Sequence, residues 1–181
     1  MELYKGRPDN LEGRLPRECR VYDYLDNLEI EYFRVDHPAV DTMEACQEVD
    51  SILGATICKN LFLCNRQKTQ FYLLMMPGEK PFKTKEITSQ IGSARLSFAS
   101  AEDMEQHLDI LPGSVSVMGL MNDKEHKVQL LVDEDILKDD YVACHPCVST
   151  SSLKIKKEDV FETFLKAVEH DYIVVTLTGE A

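Results

Sequence analysis

Apolar positions along the chain switch between two periods. After Pro16, which suits a helix's first turn, Val21, Leu25 and Leu28 recur at helical spacing and predict a helix over 16–28. The first fifteen residues are polar and read as irregular. Tyr32 to Val35 reads as a short strand, which His37-Pro38 breaks because the residue before proline avoids the α region. Thr42 is placed to cap a second helix with Ala45, Val49 and Ile52 on one face, ended by Gly54. The β-rich runs 57–64 and 70–76, joined by 65–69, predict a hairpin. A helix over 84–91 stops at Gly92, 95–99 is extended, and Ser100 with Asp103 opens another helix. Pro112-Gly113 turns the chain into an expected strand over 114–118, and 128–132 and 141–144 read as further strands. Val160, Phe161, Phe164, Leu165 and Val168 form the wide stripe of a last helix, followed by a strand over 173–177. Hairpins outnumber βαβ units. The expected fold is α+β, a single compact domain over 1–181 with a mixed, curled β-sheet flanked by helices.

The chain has 181 residues, about one domain's worth, with 44% apolar and 29% charged residues, as ordinary soluble proteins do. The longest uncharged apolar run, 71–77, is too short to span a bilayer, and the polar N-terminus does not read as a secretory signal. A cytoplasmic protein without a membrane partner is expected, and its six cysteines read as reduced thiols. The net charge of −12 argues at first against a polyanionic partner. Its distribution argues otherwise. Between Lys59 and Arg95, seven basic residues face only Glu79 and Glu86, so this segment is +5 and the rest −17. Charges beyond a Debye length of about 8 Å are largely screened, so the local patch matters more than the total. Such a patch is either a solvated surface or a nucleic-acid contact.

Three segments could carry chemistry. Lys59 shares a strand face with Ile57, Leu61 and Leu63, opposite Cys58, Asn60 and Phe62. An ammonium on an apolar face needs a cavity, a partner or an edge, so it is either a pocket cation or a snorkelling edge lysine. The turn Pro112 to Gly119 carries small hydroxyl residues between glycines and could aim backbone amides at an oxyanion, or simply feed a strand. Cys144-His145-Pro146-Cys147 has no second ligand pair for zinc and no following helix for a redox pair. His145 within it is either a structural histidine or part of a polar site.

Together the segments resemble the YbaK/ProX family of aminoacyl-tRNA editing domains. The residues that carry the resemblance are His37-Pro38-Ala39-Val40 with Thr42-Met43-Glu44, then Lys59-Asn60-Leu61-Phe62-Leu63, Arg95 to Ser100, Pro112-Gly113-Ser114-Val115, Gly119-Leu120 with Asn122-Asp123, and His145-Pro146 with Thr150. They stand in family order over most of the chain, and the wording is most similar to the free-standing ProX type. The resemblance implies a trans-editing deacylase that hydrolyses the ester of alanine mischarged on proline tRNA. It implies no metal and no cofactor. The acceptor end of the tRNA is the implied partner, with prolyl-tRNA synthetase as a further one. The family's essential lysine falls on Lys59 and its pocket histidine on His145. Substrate contacts are expected at Asn60, Gly113, Ser114, Val115, Ser116 and Gly119. The tRNA contacts are expected at Arg95, Arg66 and Lys68. Three positions depart from the family's wording: Val117-Met118 in the glycine loop, Cys64 after the lysine run, and Cys147 with Ser149 after His145-Pro146. Besides the Ala-tRNA(Pro) deacylase, a Cys-tRNA(Pro) deacylase and a non-catalytic tRNA- or amino-acid-binding module are the other readings.

Overall fold

The computed structural model describes residues 1–39 and 42–180. Val40, within the first family segment, lies outside the described residues. In chain order the elements are β1 (Leu3–Lys5), α1 (Pro16–Asn27), β2 (Tyr32–Asp36), α2 (Met43–Leu53), β3 (Lys59–Asn65), β4 (Phe71–Met76), α3 (Thr84–Ile91), β5 (Leu96–Phe98), α4 (Ala101–Leu108), β6 (Val128–Asp133), β7 (Tyr141–Cys144), β8 (Ser151–Lys156), α5 (Leu165–Ala167) and β9 (Tyr172–Val175). Two 3-10 turns, Val117–Asn122 and Glu134–Lys138, flank β6, and a π-helical stretch Asp159–Phe164 runs into α5.

The α+β class and the mixed sheet hold, with the strands divided between two sheets. One is antiparallel throughout, in the order β1-β2-β8-β7. The other, β5-β3-β4-β6-β9, is antiparallel through β5, β3 and β4 and parallel through β4, β6 and β9. A lone bridge between Ile57 and Ala143 ties them together, just before β3 and near the end of β7. That tie brings the start of β3 beside the Cys144–Cys147 segment.

Helix α1 buries Glu18, Val21, Tyr22 and Leu25, the spacing of one helix face. Thr42 caps α2 through a bond from the Ala45 amide, and Ser100 caps α4 through Asp103. Strand β3 alternates as its sequence predicts. Phe62 and Cys64 enter the main core with Val21, Leu25 and Phe164, while Leu63 joins Leu74, Ile87, Leu131 and Val175 in a second core under α3.

The structure corrects three readings, at 114–118, at the N-terminal segment and at the last strand, and adds β8. Residues 114–118 form no strand. The Ser116 hydroxyl accepts from the Met118 amide and its carbonyl from the Gly119 amide, which winds the chain into a 3-10 turn instead. The polar stretch after Cys147 leads directly into β8, whose Ser151 and Ser152 are fully buried beside β2. The N-terminal segment contributes β1, exposed along its length. The last strand is Tyr172–Val175 rather than 173–177. Among the described residues no helix is long and apolar enough to cross a membrane.

Candidate active site

Three segments meet around a cavity of about 160 Å³ lined by Cys58, Asn60, Gly113, Val115 and His145. The first two come from the start of β3, the middle pair from the turn after Pro112, and the last from the end of β7. His145 donates from Nδ1 to the Ser151 carbonyl at 2.7 Å. A carbonyl can only accept, so a neutral ring carries its proton on Nδ1 and leaves Nε2 as an acceptor. Burial pushes the His145 value below the usual histidine range, with His37 nearby adding to the effect and the Ser151 bond opposing it. The ring is therefore neutral at pH 7.

Asn60 donates from Nδ2 to the Cys58 carbonyl at 3.2 Å, while its Oδ1 is shielded from solvent and has no partner among the described residues. A buried acceptor without a donor costs about 1–3 kcal/mol. Such an acceptor beside a cavity suits an incoming N–H group. The Cys58 thiol also lines the cavity, but burial pushes its value up to about 11, so it is protonated and a poor nucleophile. Gly113 holds φ at +94°, a turn that L side chains rarely adopt. The Ser114 amide bonds the Leu111 carbonyl, and the residues on either side of it, Gly113 and Val115, line the cavity.

The other sequence-predicted residues divide. Ser114 is buried and donates from its hydroxyl to the Leu111 carbonyl, facing a second, larger cleft of about 750 Å³. Ser116 is fully buried as the turn's cap. Gly119 packs against the end of α4, where a Cβ would lie 3.1 Å from Leu108 Cβ and 2.6 Å from the Ile110 side-chain tip. Its role is close packing, and neither Ser116 nor Gly119 reaches the small cavity. Val117 and Met118 are fully buried core residues, so their departure from the family's wording does not reshape the cavity wall.

Lys59 is not brought to this cavity. Alternation sends it to the opposite face from Asn60, where its ammonium donates to the Lys80 carbonyl at 2.9 Å. Lys80 itself pairs with Asp133 and Asp135. Among the described residues Lys59 has no carboxylate partner, so its charge is held by one neutral acceptor.

Arg66 and Arg95 do come together. They line a cleft of about 520 Å³ with Gln67, Ala94, Leu96 and Ser97, at the far end of β3 from Asn60. Lys68 instead pairs with Asp103 at 3.3 Å. Cys144 and Cys147 are buried free thiols, and burial pushes the Cys147 value up to about 12.

Sequence reasoning missed two groups. His37, ring to ring with His145 at 6.1 Å, lines the larger cleft. Its Nδ1 donates to the Pro38 carbonyl and its Nε2 meets the Ser152 hydroxyl, each at 2.8 Å. The arginines in and around the start of α1, with Arg34 of β2, are the second group. Arg14 joins Glu18 and Asp36, Arg34 also meets Asp36, and Arg17 and Arg20 both approach Asp109. The available signal was the three-residue spacing of Arg14, Arg17 and Arg20.

The sequence profile of the aminoacyl-tRNA editing domain matches residues 37–163. A prolyl-tRNA editing protein ProX from Acetoanaerobium sticklandii is 31% identical over 84% of this chain and 93% of its own. A prolyl-tRNA synthetase associated domain-containing protein 1 from Xenopus laevis is 29% identical over 91% and 98%. The fold also matches the crystal structure of a candidate trans-editing enzyme for prolyl tRNA synthetase, with TM-score 0.67 and 18% identity over 90% of this chain and 98% of that one. The chain spans every segment that brings Asn60, Gly113 and His145 together, and it belongs to the aminoacyl-tRNA editing domain family.

Proposed function

We propose that the protein hydrolyses alanine from mischarged proline tRNA in trans, in the cytoplasm, with prolyl-tRNA synthetase as the source of the mischarged tRNA. The observation that carries this reading is the small cavity, where Asn60, with its unpartnered Oδ1 just beneath the surface, and the neutral His145 meet the Gly113–Val115 turn. At about 30 Å³ per water, 160 Å³ holds about five water-sized groups. That is the scale of a small aminoacyl ester, and the site is assigned to alanine with the prolyl ring excluded. Exclusion of the larger group supplies the selectivity, since a methylene in a pocket is otherwise worth only about 1–3 kcal/mol.

An aminoacyl ester is already activated, so no protein nucleophile is needed. Asn60 Oδ1 accepts from the substrate's α-ammonium and orients the ester. A water enters beside His145, whose neutral Nε2 takes its proton as the oxygen attacks the carbonyl and returns it to the ribose oxygen as the acyl C–O bond breaks, releasing alanine and the tRNA. The Gly113 and Val115 amides are the nearest backbone donors for the developing oxyanion. Lys59, a cation without a counter-ion among the described residues, exchanges the Lys80 carbonyl for a phosphate of the tRNA outside the cavity when substrate arrives. Arg66 and Arg95 hold the acceptor strand some 20 Å from Asn60, the length of β3 at about 3.3 Å per residue.

The test is single-turnover deacylation of alanyl-, cysteinyl- and prolyl-tRNA(Pro). Preferred loss of alanine supports the proposal, and faster loss of cysteine moves the protein to the other substrate. Retained tRNA binding without turnover of any ester makes it a binding module.

A further inference from the structure

We propose that the larger cleft binds the phosphate on the 5′ side of the esterified nucleotide, with Arg17 as the binding group. The inference rests on the aminoacyl-tRNA reading above and names where the nucleotide enters.

The 750 Å³ cleft and the 160 Å³ cavity lie on either side of one turn. Gly113 and Val115 face the small cavity, and Pro112 and Ser114 face the large cleft. The two histidine rings, His145 in the cavity and His37 in the cleft, are 6.1 Å apart, on the scale of one nucleotide's backbone repeat. An ester seated in the cavity therefore leads its own nucleotide into the cleft.

Arg17 lines that cleft and is incompletely paired. Its Nη1 is shielded from solvent without any partner among the described residues, and its Nη2 stands 3.8 Å from Asp109, too far for a hydrogen bond. Arg20 holds Asp109 more closely, so that carboxylate is already neutralised. Arg14 cannot serve, because Glu18 and Asp36 bind it at 2.8 and 2.9 Å. The cleft's other charged groups, Glu18 and Asp36, are both taken up by Arg14, which leaves Arg17 as the cleft cation without a close carboxylate among the described residues. The reachable donors are its Nε and Nη2, which form no hydrogen bond among the described residues, and that fork matches a phosphate, which accepts two parallel N–H bonds. Lys59, on the opposite face of β3, leaves that task unfilled near the cavity.

The experiment compares binding of AMP and adenosine by NMR titration, and turnover of alanyl-adenosine with and without a 5′-phosphate. AMP is expected to bind at least about tenfold more tightly than adenosine, the lower end of the range for hydrogen bonds to charged groups. Arg17→Ala should remove that advantage while adenosine still binds, and Arg17→Lys should restore part of it. Equal binding of AMP and adenosine by the wild-type protein overturns the phosphate site, as does an AMP advantage that survives Arg17→Ala. An Arg17→Ala protein that unfolds is replaced by Arg17→Lys, for which an undiminished preference likewise overturns the bidentate assignment. AMP preference without turnover of either ester leaves the site standing and refutes the deacylase reading alone.

Discussion

His37 and His145 face each other across 6.1 Å, each held by one of two consecutive residues of β8. The Ser151 carbonyl takes the His145 Nδ1 proton, and the Ser152 hydroxyl meets His37 Nε2. Ser151 also donates to Asp36 at 2.6 Å, so the same residue ties the histidine pair to the arginine network. One short strand thus sets both the proton-accepting ring of the cavity and the wall of the larger cleft.

His145→Ala should reduce deacylation by about 10²–10⁴-fold, the usual contribution of a general base. Burial lowers the ring's value, so the neutral form persists below the ordinary 6.5. The acid limb of kcat/KM should therefore fall below pH 6.5. A limb centred above 6.5, unchanged in a slow but measurable His145→Asn variant, would assign the titration to another group.

The lining of the small cavity was partly legible in sequence, because strand alternation and turn residues are local signals. Asn60 beside Cys58, the glycine turn and His145 all follow from short segments. The face assigned to Lys59 was also right, but its partner was not readable, since the Lys80 carbonyl depends on how the 77–83 loop folds back over β3. Strand β8 escaped because its buried residues begin with Ser151 and Ser152, whose polar side chains gain partners only from β2 and the histidines. The 3-10 turn replaced an expected strand because Ser116 bonds its own backbone, a local competition that apolar patterning does not show.

A second buried pair gives a pH signature in stability. His170 Nε2 and Asp123 Oδ2 lie 2.9 Å apart, and both residues are buried. Burial opposes the charge on His170, but the bonds to Asp123 and to the Val168 carbonyl outweigh it and raise its value. A raised histidine stabilises the fold fully below its unfolded value and loses that contribution as pH rises through the folded one. The melting-temperature difference between wild type and His170→Gln should be largest near pH 5.5 and shrink above pH 7. A gap that widens with pH would contradict the pairing.

The basic residues should not contribute equally to tRNA binding. Arg66 and Arg95 share a cleft, whereas Lys68 already faces Asp103. Each phosphate contact to a single strand adds about −0.7 to the slope of log K against log[salt]. Arg66→Ala and Arg95→Ala should each weaken binding and flatten that slope by about one contact. Lys68→Ala should change it less. Filter binding across a salt series measures this, and equal slopes for all three variants would mean that the cleft does not face the RNA.

Lys59 offers the sharpest test, because its position and its proposed role pull apart. Its ammonium bonds the Lys80 carbonyl on the face away from Asn60, which could strap β3 to the neighbouring loop. Yet a strap needs no charge, and this one has no carboxylate partner among the described residues. A half-buried ammonium held by one neutral acceptor is poised to trade it for an anion, which adds the Coulomb attraction that the carbonyl lacks. Lys59→Ala should therefore weaken tRNA binding, and with it deacylation at subsaturating tRNA, by about tenfold, the loss of one charge-assisted contact, with melting temperature little changed. Lys59→Met separates the roles further, since it keeps the stem packed beside Leu61 and removes only the charge. If the strap were its whole function, Lys59→Met would melt lower while activity per folded molecule stayed intact. Single-turnover rates and thermal unfolding on both variants decide, and full activity in Lys59→Met would take the lysine out of the mechanism.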